Sequence, residues 1–80
     1  MSEFTKTYRV FVRSRDGIEC GIYEGFDRTR AMETYTKEVF IRMGYDDRLK
    51  KSSDVAYVGF EELIKFPRVA KLKREETYVL

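Results

Sequence analysis

The 80-residue chain contains no histidine and only one cysteine. Without histidine, the Ser-His-Asp and Cys-His catalytic arrangements and most zinc sites are excluded. The single thiol, Cys20, cannot form an intramolecular disulfide, and small domains in oxidising compartments usually need such bonds. We therefore expect a cytoplasmic protein that is not an enzyme and uses no cofactor or metal.

Long apolar runs are also missing. The N-terminal segment carries Glu3 and Lys6 where a secretory signal would be apolar, and no stretch approaches the roughly 18 apolar residues of a membrane helix. Hydrophobic residues still make up 42% of the chain, enough for a core beneath a heavily charged surface. These features predict one soluble α+β domain over residues 1–80, with no membrane contact.

Phosphate-binding loops of the P-loop or GxGxxG type do not occur in the sequence. Carboxylates do occur in adjacent pairs, but neighbours in sequence usually point in different directions and do not converge on one substrate or metal. We interpret these pairs as solvated surface charge: Asp46-Asp47, Glu61-Glu62 and Glu75-Glu76.

The first third of the chain predicts a β-hairpin, because β-branched and aromatic residues alternate on both sides of Arg15-Asp16-Gly17. A two-residue turn would divide the apolar residues between both faces. A three-residue loop with Gly17 left-handed gathers them on one face, and we prefer this register. It pairs Val10 with Ile22, Val12 with Cys20, and Arg13 with Glu19.

Two faces follow from that register. The apolar face consists of Val10, Val12, Ile18, Cys20 and Ile22, so we expect Cys20 to be buried and dispensable for activity. The other face carries Arg9, Phe11, Arg13 and Tyr23, with Phe11 across from Gly21.

A helix is predicted over Arg28 to Met43, with Asp27 as its N-cap and Gly44 ending it. Its apolar stripe consists of Met32, Tyr35, Val39, Phe40 and Met43, which should cover the hairpin. Ile41 falls outside the stripe, so we expect it to be exposed.

The rest of the chain predicts a loop and several short elements. We expect a polar loop over Tyr45 to Asp54, a strand over Val55 to Val58, and a helix over Phe60 to Phe66 that ends at Pro67. A closing hairpin would join Arg68 to Lys73 with Thr77 to Leu80. The predicted order is ββαβαββ on a small antiparallel sheet.

Basic and aromatic residues suggest one possible binding face. Residues of both types on an open sheet can stack bases and neutralise phosphates. The candidate nucleic-acid face consists of Arg9, Phe11, Arg13, Tyr23 and Tyr78, with Lys71 and Lys73 as possible additions. Separately, a basic stripe of Lys65, Arg68, Lys71, Lys73 and Arg74 should attract an acidic partner.

Apolar side chains outside the predicted core favour a protein partner. Interfaces combine such anchors with a polar rim, and the candidates here are Phe11, Tyr23, Ile41 and Tyr45. In its size, its hairpin followed by a helix and its lack of catalytic residues, the chain resembles small phage-encoded inhibitors of host machinery, including anti-CRISPR proteins. That resemblance implies action in the host cytoplasm on a larger complex, such as a nucleoprotein complex. The alternatives are single-stranded nucleic-acid binding and a homo-oligomeric assembly protein.

Overall fold

The computed structural model describes residues 4–43 and 55–79. Within them, four antiparallel strands form one sheet in the order β2-β1-β3-β4, and a single helix lies on one face. The overall dimensions of 48 × 25 × 14 Å fit this two-layer arrangement. The α+β prediction is confirmed at this level. The elements are β1 (Thr5–Ser14), β2 (Glu19–Gly25), α1 (Arg28–Arg42), β3 (Val55–Lys65) and β4 (Ala70–Tyr78).

The hairpin β1–β2 has the predicted three-residue loop. Gly17 adopts a positive φ of 85°, and its N–H donates to the Ser14 carbonyl at 3.0 Å. Only glycine takes that conformation without strain, which fixes the turn at this position. The predicted pairs Val12–Cys20, Arg13–Glu19 and Phe11–Gly21 are all present.

A β-bulge changes the register beyond Phe11. Val10 pairs with Tyr23 instead of Ile22, which becomes the additional residue of the bulge. Directly paired residues share a face, so Tyr23 lies on the helix side and packs against the core. Its predicted place on the other face, beside Phe11, is therefore wrong.

Cys20 is exposed, which contradicts its predicted burial. β2 is an edge strand, and its residues from Glu19 to Ile22 are all exposed. The helix meets β2 mainly through Tyr23, which joins the core cluster. Pairing with Val12 therefore does not bury the thiol.

The helix α1 begins at the predicted position. The Asp27 carboxylate accepts a hydrogen bond from the Arg30 N–H at 3.1 Å, as an N-cap does. The helix ends at Arg42 with Met43 as its C-cap, and the predicted stop at Gly44 lies outside the described residues.

The packed side of α1 is rotated from the predicted stripe. Ala31 is fully buried against the sheet and Ile41 is also buried, whereas Phe40 and Met43 are about half exposed. Ala31 has too small a side chain to register as part of an apolar stripe, yet its size lets the helix approach the sheet closely. The expected exposure of Ile41 is therefore wrong.

The core between helix and sheet is built on aromatic rings. Phe60 contacts Tyr8 and Tyr35, with ring centroids 6.0 and 5.8 Å apart. The Tyr35 hydroxyl also forms a hydrogen bond of 2.5 Å with the Thr77 hydroxyl on β4. Tyr8, Val10, Ala31 and Phe60 form the buried cluster, and Tyr23, Met32 and Tyr35 pack against it.

The second half of the chain is simpler than predicted. The expected short strand and the helix over Phe60 to Phe66 are one continuous strand, β3, paired with β1 on one side and β4 on the other. Pairing with strands on both sides stabilises the extended conformation more than the helical propensity of Glu61, Glu62 and Leu63 would stabilise a helix.

The predicted closing hairpin is also wrong, because Ala70–Tyr78 is a single strand with no turn at Arg74-Glu75. The turn lies earlier, at Pro67-Arg68, where the Phe66 N–H donates to the Val69 carbonyl at 2.8 Å. The predicted loop over Tyr45 to Asp54 lies outside the described residues.

Candidate interaction surfaces

The face of the sheet opposite α1 is not covered by any other element among residues 4–43 and 55–79. At its centre lies Phe11, which is nevertheless fully buried. Its cross-strand neighbours are glycines, Gly21 on β2 and Gly59 on β3, and its ring lies directly over Gly59. The space that two side chains would occupy is thus filled by one aromatic ring.

Charged side chains cover this ring. The guanidinium groups of Arg9 and Arg74 each lie 5.1 Å from the centroid of Phe11, within the range of a cation–π contact. Arg9 pairs with Glu19 at 3.4 Å and with Glu61 at 3.5 Å. Arg74 forms a close ion pair with Glu61 and a longer one of 3.8 Å with Glu19. The hydrogen bond that Arg74 donates to the Glu61 carboxylate raises the pKa of Arg74.

A second group continues the pattern towards the end of the sheet. Arg13 pairs with Glu76 at 2.6 Å, and its guanidinium lies 4.8 Å from the centroid of Tyr57. Tyr57 meets Tyr78 edge-on, with centroids 5.3 Å apart. The open face therefore carries a lattice in which three arginines are matched by three glutamates; its members are Arg9, Arg13, Arg74, Glu19, Glu61 and Glu76.

This lattice alters the candidate nucleic-acid face. The structure places Arg9, Arg13 and Tyr78 on the open face, but both arginines are held by glutamates. Phe11 is buried beneath them. Tyr23 lies on the other side of the sheet, where its hydroxyl forms hydrogen bonds with the backbone N–H and carbonyl of Asp27. A phosphate would have to displace a carboxylate, and only Tyr78 offers an exposed ring.

Three of the four residues predicted to bind protein are described by the structure, and these three do not form one surface. Phe11 and Ile41 are buried, on opposite faces of the sheet, and Tyr23 packs against the core. Tyr45 lies outside the described residues. The sequence marks these side chains as large and apolar, but it could not show that the fold itself buries Phe11 and Ile41.

The basic stripe is divided between the two faces. Lys71 and Lys73 pair with Ile64 and Glu62 on the helix side of the sheet, whereas Arg74 belongs to the lattice on the other. Alternation along one strand separates neighbours in sequence in this way. Lys65 is the last residue of β3, and Arg68 lies in the turn between β3 and β4.

An exposed apolar surface lies at that end of the sheet, which sequence patterns did not indicate. The rings of Phe4 and Phe66 are in contact, with centroids 5.9 Å apart. They are 43% and 39% exposed. Val69, whose carbonyl accepts a hydrogen bond from the Phe66 N–H across the turn, is 59% exposed. The ammonium of Lys6 lies 5.7 Å from the Phe4 centroid.

We call this surface the hairpin-end patch: Phe4, Phe66 and Val69 with the cations Lys6, Arg68 and Lys71. The helix core extends only as far as Tyr8 in this direction, so the patch lies beyond the part of the sheet that α1 covers. No acidic residue occurs at positions 4–9 or 63–74.

A shallow groove separates the start of α1 from β4. It encloses about 390 Å³ between Arg28 and Met32 on the helix and Glu62, Lys73 and Glu75 on the sheet. Burial raises the pKa of the neighbouring Tyr8, and its hydrogen bond with Glu62 raises it further. Acidic and basic side chains both line this groove.

Two further tests concern metals and membranes. Among residues 4–43 and 55–79, no group of three or more Cys, Asp or Glu side chains is arranged to hold a metal ion. Within the same residues, no helix has both the length and the apolar character needed to cross a membrane.

Comparison of the chain with protein-family models, curated proteins and solved structures gave no significant match.

Proposed function

We propose that the protein is a binding module that recognises an acidic surface of another protein through the hairpin-end patch. The observation that carries this proposal is the exposure of Phe4, Phe66 and Val69 together at one uncovered end of the sheet. Aromatic and aliphatic anchors inside a charged rim are the usual composition of a protein interface.

The charge around the anchors indicates the type of partner. Lys6, Arg68 and Lys71 surround the apolar side chains, and no acidic residue occurs at positions 4–9 or 63–74. By contrast, the arginines on the open face are already paired with glutamates. The patch therefore carries cations that lie outside that lattice, and they would steer an acidic partner and accelerate its association.

Single-stranded nucleic acid remains the second candidate, because the patch also combines two rings with cations. Binding proteins of that kind stack successive bases on separate aromatic platforms. Here the rings of Phe4 and Phe66 contact each other instead, and the third anchor is aliphatic. These features favour a protein surface. An inhibitor of a larger host complex, of the phage-encoded type, is one form that such a module takes.

The test compares three proteins in parallel affinity capture from the native host. The patch variant replaces Lys6, Arg68 and Lys71 with Gln, and the control variant makes the same change at the exposed residues Arg15, Arg30 and Lys37. A true partner is retained by the wild type and the control but lost by the patch variant. Equal retention by all three proteins would contradict the proposal.

Kinetics with the purified partner then separate steering from anchoring. The Gln variant should slow association about tenfold at low ionic strength, with a smaller effect at high salt. Phe66→Ser with Val69→Ser should instead accelerate dissociation. Polarisation assays with labelled single-stranded oligonucleotides test the alternative: binding that weakens steeply with salt and is lost in the Gln variant would favour nucleic acid.

A further inference from the structure

Among residues 4–43 and 55–79, no strand pairs with the outer edge of β4. The helix packs over β1, β2 and β3, and β4 is exposed from Ala70 to Glu76. Backbone hydrogen bonds join Phe66 to Val69 and Val79 to Ala56. Because hydrogen-bonded pairs alternate in an antiparallel ladder, the odd-numbered residues of β4 bond to β3. The backbone groups of the even-numbered residues therefore point outward: Ala70, Leu72, Arg74, Glu76 and Tyr78.

The two edges of the sheet differ in a way that favours β4. The edge strand β2 is interrupted by the bulge at Ile22, and such bulges hinder pairing with another chain. β4 runs for 9 residues with an unbroken register against β3. It is thus the regular, open edge of this sheet.

We propose that β4 pairs antiparallel with β4 of a second copy of this chain, on a two-fold axis through Glu75. In this register, Arg74 lies opposite Glu76 of the second copy, and Leu72 lies opposite Tyr78. Each pair occurs twice by symmetry, so the open face gains two ion pairs and two apolar pairs. The lattice of arginines and glutamates then continues from one copy to the other across a single eight-stranded sheet.

Charge selects this register over its neighbours. Moving the axis to Arg74 would place that residue opposite itself and Leu72 opposite Glu76. Moving it to Glu76 would place that residue opposite itself and leave Arg74 opposite Tyr78. The chosen register has one like-charged pair, Glu75 with its own copy, on the helix side, where Lys73 and Arg28 line the same groove.

Two double variants test the pairing at residues that are not members of the lattice. Leu72 and Tyr78 are 55% and 58% exposed, so charges at these positions should be tolerated in the single chain. One double variant combines Leu72→Glu with Tyr78→Glu, and the other combines Leu72→Lys with Tyr78→Lys. In each of them, like charges lie opposite each other at two places in the dimer. Each double variant should therefore raise the Kd for self-association at least about tenfold.

Mixing the two double variants provides the decisive measurement. In the mixture every Glu faces a Lys of the other variant, so a heterodimer should form, which native mass spectrometry distinguishes from either homodimer by mass. The control variant combines Ile18→Glu with Phe26→Glu, at exposed residues that flank β2. It should dimerise like the wild type. Circular dichroism checks that every variant is folded.

Each outcome decides the proposal. A dimeric wild type, monomeric double variants and a heterodimer in the mixture support it. A wild type that stays monomeric in sedimentation equilibrium at millimolar concentration, double variants that still dimerise, or a mixture that stays monomeric would overturn it. The tested residues lie outside the hairpin-end patch, so failure here leaves the proposed function standing, and the reverse also holds.

Discussion

Phe11 lies on the face of the sheet opposite α1, yet it is as buried as any core residue. Two features of single residues explain this. Gly59 leaves space for the ring across the neighbouring strand, and the guanidinium groups of Arg9 and Arg74 cover it. A small second core thus forms with one aromatic ring, and its cover consists of paired charges instead of a second layer of apolar side chains.

The arrangement predicts unequal effects of alanine at the two flanking glycines. In Gly59→Ala the new methyl group would overlap the Phe11 ring, which is fully buried and cannot move aside freely. We expect a loss of about 1 to 3 kcal/mol in the free energy of unfolding. Gly21→Ala is the matched control, because the nearest atom to its methyl group, Arg9 Nε, is 3.9 Å away. Urea titration of both variants measures the difference, and similar stabilities would refute the overlap.

At the residue scale, local chemistry predicted well and side-chain direction predicted poorly. The sequence predicts a left-handed turn glycine at Gly17 and a helix N-cap at Asp27, and both predictions are confirmed. The faces of Tyr23 and Cys20 were wrong. A bulge adds one residue and reverses the alternation beyond it, and nothing in the sequence around Ile22 marks its position.

At the scale of whole elements, the sequence predicted the first hairpin and the helix but not the two last strands. The segment from Phe60 to Lys65 has both helical and extended character, with strong helix formers at Glu61, Glu62 and Leu63. Its conformation is decided by β1 and β4, which pair with it from both sides. Such partners are distant in sequence, so local propensity could not show them.

The position of Ile41 on α1 leads to a prediction about that element. Ile41 is 7% exposed, so Ile41→Ala removes packed atoms near the end of the helix. We expect a loss of about 2 to 5 kcal/mol in the free energy of unfolding. Met43→Ala, at a residue 46% exposed, should cost much less. Denaturant titration checks both variants, and a stable Ile41→Ala protein would show that this helix end contributes little packing.

For the molecule as a whole, the helix is shorter than the sheet that it covers. α1 closes one core over the centre of the sheet, and the long β3–β4 hairpin continues beyond it to the hairpin-end patch. The same architecture leaves β4 open along its length. One sheet thus provides a stable centre, an apolar end for a partner and an edge for a second copy. Neither surface could be predicted from composition, because both depend on which part of the sheet the helix covers.

The order of the strands predicts how stability is distributed over the molecule. β1 and β3 have partners on both sides, whereas β2 and β4 are edges. The amides that bond between β1 and β3, such as those of Arg9, Phe11 and Gly59, should open only when the whole domain unfolds. At protein concentrations well below any self-association, they should exchange at least about tenfold more slowly than the outward-pointing amides of Leu72 and Arg74.

Residue-resolved hydrogen exchange measures this difference, and its dependence on concentration adds a second comparison. If β4 pairs with a second copy, Leu72 and Arg74 should become protected as the concentration rises, while Phe11 and Gly59 stay unchanged. Equal exchange in central and edge strands at low concentration would contradict the order β2-β1-β3-β4, because that order alone gives β1 and β3 their second partner.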